Sequence, residues 1–99
     1  MDFETFKFFE KASRFEDAAE KINKWIEDLA DDWKRDVIKK KFARRALQQI
    51  IAETDIALKN FQQLKKEALP GHENLMLGMT NQRDNLRENA RWLTEMIKG

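Results

Sequence analysis

The chain has 99 residues, 37% of them charged and 41% hydrophobic, with a formal net charge of +1. That balance fits one folded helical domain and excludes the low-hydrophobicity regime of disordered chains. No cysteine is present, which excludes a disulfide framework and thiolate zinc binding.

The N-terminal segment places Phe3, Phe6 and Phe9 at three-residue intervals among Asp2, Glu4 and Glu10. Interleaved acids do not make a secretory signal, and no apolar run approaches the roughly 20 residues of a membrane span. A cytoplasmic protein without a membrane role is therefore expected. Ser13-Arg14-Phe15-Glu16 matches the S-x-x-E box that opens helices, which predicts a break there and a separate short Phe-rich helix over residues 2–12. In that arrangement the three rings fold back over the end of the bundle. If the helix instead continues, they stand about 100° or more away from Phe8 and form a second apolar ridge for a partner or a second copy.

Phe8, Ala12, Phe15, Ala19, Ile22, Ile26, Leu29 and Trp33 alternate four- and three-residue steps, the spacing of a helix with one packed seam. Trp33 lies on that seam and Trp25 on its shoulder, so both are expected in the core. A turn is predicted within residues 31–37, with Asp32 or Asp36 as N-cap of the next helix. The competing arrangement is one unbroken helix from Phe8 to Ala68, about 90 Å long, which buries its seam only by dimerising as a coiled coil. In that unbroken helix Asp36 pairs with Lys40, and Asp31 with Arg35, at i,i+4.

A second seam runs through Ala43, Leu47, Ile50, Thr54, Ala57, Phe61, Leu64 and Ala68. Leu69-Pro70-Gly71 ends it, because proline disfavours helix at the preceding residue and glycine admits turn geometry. A third seam, Met79, Leu86, Ala90, Leu93 and Ile97, follows, with Arg83 at a seam position where its stem packs and its head reaches water or a carboxylate of the first helix. Gly78 predicts fraying before Thr80. The expected fold is an all-α antiparallel three-helix bundle over residues 13–31, 36–68 and 73–97, preceded by the short Phe-rich helix.

Catalytic, cofactor and metal sites are not expected. His72 is the single histidine and reads as a solvated turn residue; Ser13 is the single serine and has no base near it in sequence. No metal-ligand spacing and no Gly-rich phosphate loop occurs. The expected function is a non-enzymatic protein-binding module of the adaptor, inhibitor or assembly-subunit kind. Its contacts are Phe3, Phe6, Phe9, Trp92 and Met96; the partner is another protein, with a homodimer left open.

Residues 1–36 hold eleven acids and seven bases, residues 37–69 three acids and eight bases. Antiparallel attraction between these segments accounts for the asymmetry in one reading. In the other, the basic stretch Lys34, Arg35, Lys39, Lys40, Lys41, Arg44 and Arg45 makes a stripe, with Lys34, Lys41 and Arg45 on one line, that meets nucleic-acid phosphates or an acidic protein surface. A nucleic-acid-binding accessory protein is thus the alternative function.

Overall fold

The first helix begins at Asp2 and does not break at Ser13. The computed structural model describes residues 2–98, and in it α1 runs uninterrupted from Phe3 to Lys34. Asp2 holds an extended conformation and its carboxylate accepts the Thr5 amide at 2.7 Å, which satisfies an amide that has no partner inside the helix. The separate Phe-rich helix is therefore absent. Ser13 lies within a continuous ladder that keeps Phe8, Ala12 and Phe15 all buried, and an Arg14–Glu10 ion pair of 2.6 Å spans the would-be break. A capping box opens a helix only where free amides await partners, and here none do.

The predicted turn is real but falls later, over residues 35–39, and neither proposed aspartate caps the second helix. Its N-cap is Lys39, which makes no side-chain capping bond. Asp36 instead terminates α1 from a left-handed conformation, φ +56°. Its amide donates to the Trp33 carbonyl at 3.2 Å and the Val37 amide donates to Asp32 at 3.1 Å. That pair of bonds is the Schellman ending, with aspartate in the place glycine usually takes. Arg35 pairs with Asp31 as spaced, at 3.4 Å.

Helix α2 covers Lys40–Glu67 and α3 covers Glu73–Lys98, with each helix packed on the other two. Between them the His72 amide donates to the Leu69 carbonyl at 3.1 Å, with Gly71 at φ +101°. Proline and positive-φ glycine at the centre define a type II turn, a geometry that a side chain at residue 71 would strain. The antiparallel bundle measures 51 × 18 × 17 Å.

All three seams face inward. Every seam residue is buried except Trp33, Ala68 and Arg83, which are half-buried. The core thus closes within the three helices, and the long dimerising hairpin is not the arrangement adopted. Phe15 and Phe61 meet within it at 5.5 Å between ring centroids, and each such buried ring stabilises by about 1.5–3 kcal/mol. Thr54, the one buried polar residue among those described, donates its hydroxyl to the Ile50 carbonyl at 2.7 Å. Trp25 and Trp33 pack against the core as expected.

Arg83 lays its guanidinium 4.8 Å over the Phe61 ring, but its Nε donates to Asp84 of its own helix and not to a carboxylate of α1. Gly78 does not fray α3. Leu75 and Met76 pack against the core on one side of it, and Met79 is fully buried on the other.

Candidate functional site

Continuity of α1 decides what happens to the N-terminal phenylalanines. With no break to fold them back, Phe3 and Phe6 stand 70% and 56% exposed, and Phe9 39%. Residues three apart advance about 300° around a helix, so the three rings drift by about 60° per step along one side of its first turns. Phe9 is the most sheltered, lying 6.1 Å from Phe8 edge-on and 5.5 Å from His72. Phe3 carries the Lys7 ammonium 4.7 Å above its ring, a cation–π contact that leaves most of the apolar surface open. Leu69, in the neighbouring turn, is also exposed.

His72 is not a freely solvated turn residue. It is half-buried and stacked on Phe8, with centroids 4.4 Å apart and planes 5° from parallel. Its Nδ1 accepts the Leu69 amide at 3.2 Å. The buried end of α1 supplies the ring that covers the Pro-Gly turn, a neighbour that turn chemistry alone does not reveal.

Trp92 is 45% exposed, and the Lys34 ammonium sits 5.2 Å above it. Met96 is half-buried and packed against the core. Because Lys34 ends the helix that Phe3 begins, Trp92 lies about 46 Å from the Phe3 ring at 1.5 Å per residue. The expected aromatic contacts therefore divide between opposite ends of the bundle and do not form one surface.

The basic stretch divides as well. Lys34 belongs to α1 and faces Trp92, whereas Lys41, Arg44 and Arg45 are exposed on α2 beyond the turn. The single line through Lys34, Lys41 and Arg45 assumed one continuous helix and does not exist. Acidic α1 and basic α2 do pack against each other, as general attraction between them requires. Among the described residues one ion pair joins these helices, Lys11 of α1 to Glu67 of α2 at 3.0 Å, and its polarity is the reverse of that expected. The Lys11 ammonium holds the Glu67 carboxyl below its usual range, as the Thr5 amide does for Asp2.

Two features escape the sequence reading. Phe42 is 52% exposed between Lys41 and Arg44, and the one-residue offset from Ala43 that turns it outward was the available signal. Lys59 and Lys66 extend the basic face of α2 far beyond residue 45, which is visible only once Lys41 is phased with the second helix. Among the described residues there is no group of three or more His, Asp or Glu placed to hold a metal ion, and no helix is long and apolar enough to cross a membrane. Comparisons with protein-family models, curated proteins and solved structures found no match to the chain.

Proposed function

We propose that the chain is a small protein-binding module of the adaptor, inhibitor or assembly-subunit kind, acting by contact and not by catalysis through the ridge Phe3, Phe6 and Phe9. The observation that carries this reading is the exposure of Phe3 and Phe6 on a helix whose apolar residues beyond Phe9 are buried or half-buried. Neither Phe3 nor Phe6 is among the residues that form the core or pack against it. Exposed rings at i, i+3 and i+6 suit insertion into an apolar groove of another protein, where aromatic anchors dominate binding. Trp92 at the far end is a separate feature and is not needed for this contact.

The test is an affinity capture with wild-type protein and with Phe3→Ser/Phe6→Ser, from nuclease-treated extract. A stoichiometric protein retained by the wild type and lost from the variant, at equal thermal stability, supports the reading. Unchanged capture, or unchanged self-association if the partner is a second copy, overturns it. Truncation of the central ring should cost on the order of 2 kcal/mol of binding.

A further inference from the structure

Near the turn that joins them, α1 and α2 leave a groove of about 410 Å³ between their outer flanks. Its floor is apolar, built from Leu29, Ile38, Ala46 and Ile50, with the half-buried Trp25 ring along one side. Its rim is polar, with Asp28 and Asp32 on the α1 side and Gln49 on the α2 side. Helix phase completes the α2 rim. Arg45 precedes Gln49 by one turn, about 40° away, while Phe42 and Ile56 stand seven residues to either side of Gln49 and within about 20° of it. Phe42 and Ile56 are 52% and 54% exposed, so the rim carries apolar side chains that the bundle does not cover.

Two charges of this face lack partners. Asp32 is half-buried and Arg45 exposed, and among the described residues neither lies within ion-pairing distance of an opposite charge. Their heights along the bundle make this informative. Lys11 and Glu67 meet across the antiparallel α1 and α2 at 3.0 Å. Equal steps along both helices from that pair bring Asp32 level with Ala46, one residue from Arg45. The same steps bring Arg35 level with Ala43, one residue from Phe42, and Trp25 level with Glu53, one residue from Ala52. Asp32 and Arg45 thus stand at one height on opposite rims without meeting. A sheltered carboxylate gains more than an exposed one from a cation brought to it, because screening by water is weaker there.

Acid on one rim and base on the other select the occupant. A uniformly anionic partner, whether nucleic acid or acidic protein, is repelled by Asp28 and Asp32 while it is attracted by Arg45. The fitting partner carries the same two signs in reverse order at the same height. A second copy, turned about a two-fold axis that runs parallel to the helices over the groove, presents that order. The rotation lays each α1 rim on the other copy's α2 rim and changes no residue's height. We propose that the chain forms an isologous dimer through this face, with Asp32 of each copy paired to Arg45 of the other, Arg35 over the other copy's Phe42, and Trp25 against the other copy's Ala52. The face lies at the opposite end of α1 from Phe3 and Phe6, so this proposal and the phenylalanine ridge can fail independently.

The test is sedimentation equilibrium of the full chain from about 5 to about 500 μM, a range suited to a contact at the small end of specific interfaces. The wild type should rise from 11.8 kDa toward twice that mass. Asp32→Arg and Arg45→Asp should each raise the dissociation constant by about tenfold or more, since two-fold symmetry sets two like-charge pairs in each variant's dimer. An equimolar mixture of the two variants should recover wild-type association, because both cross pairs are then arginine against aspartate. Pairing of residues 32 and 45 within one chain gives no such rescue. Phe42→Ser should weaken the dimer by about tenfold or more, whereas Phe3→Ser/Phe6→Ser should associate as the wild type does. Circular dichroism and thermal melting of each variant establish that the fold is intact. A wild type that stays at 11.8 kDa throughout overturns the proposal in favour of a foreign partner on this face. Charge variants that associate as the wild type does overturn it as well, as does a mixture that remains monomeric.

Discussion

The His72 imidazole lies parallel to the Phe8 ring at 4.4 Å and accepts the Leu69 amide, joining the start of α1 to the turn between α2 and α3. One side chain thereby ties the N-terminal end of α1 to the turn that orients the other two helices. His72→Ala should destabilise the fold by about 1–2 kcal/mol, combining loss of the stacked contact with loss of the accepted hydrogen bond. His72→Phe restores the stacking alone and should fall between the two in urea denaturation.

Neighbouring phenylalanines should respond oppositely. Phe8 is 4% exposed and Phe6 56%. Phe8→Ala should cost about 3–5 kcal/mol through lost burial and a residual cavity, whereas Phe6→Ala should stay within about 0.5 kcal/mol of wild type. Chemical denaturation of both variants checks this, and a large loss at Phe6 would mean that its ring belongs to the fold.

Gly78 lies on the exposed surface of α3, and a Cβ added there meets nothing within 4 Å. Gly78→Ala should stabilise by about 0.5–1 kcal/mol, since it restricts the unfolded chain and improves helix propensity without a clash. Asp36 makes the complementary case. At φ +56°, Asp36→Gly relieves a left-handed aspartate and should leave stability unchanged or raise it by less than about 1 kcal/mol, while Asp36→Val should lower it by about 1–2 kcal/mol. Thermal melts of these three variants test both backbone arguments.

Acid should weaken the fold in a definite window. Asp2 and Glu67 are depressed below ordinary values of 3.8 and 4.5, by the Thr5 amide and the Lys11 ammonium respectively. A carboxyl with a lowered folded pKa stabilises above its unfolded value and loses that contribution as pH falls through the folded one. The melting temperature should therefore decline as the pH drops below about 4.5, modestly because both groups are exposed. Glu67→Gln should make the decline shallower, as measured by melts between pH 6 and pH 2.

The three seams were legible in the sequence because burial at alternating four- and three-residue steps leaves a pattern that no exposed helix needs. Phe61, Leu86 and Ile97 are buried as their spacing implies. Helix ends were less legible. Ser13 carries a capping signature inside a helix, while the actual cap, Asp2, accepts from Thr5 without the glutamate of the full box. The end of α1 was obscured because Asp36 takes the conformation that glycine would have advertised. For the candidate site, the Phe3–Phe6–Phe9 ridge was readable from phase alone once the helix is known to be continuous. The pairing of Lys34 with Trp92 and of Phe8 with His72 was not, since each joins residues more than fifty positions apart.

The central claim is that the Phe3–Phe6–Phe9 ridge is a protein-contacting surface, and photocrosslinking from within it is the most direct test. Benzoylphenylalanine replaces Phe6 in one variant and Asp17, an exposed position two turns past Phe9 on the same helix, in another; both are irradiated in cells. A discrete adduct of one protein from position 6 and none from position 17 is the predicted result. No adduct from position 6, or the same adducts from both positions, would contradict the account.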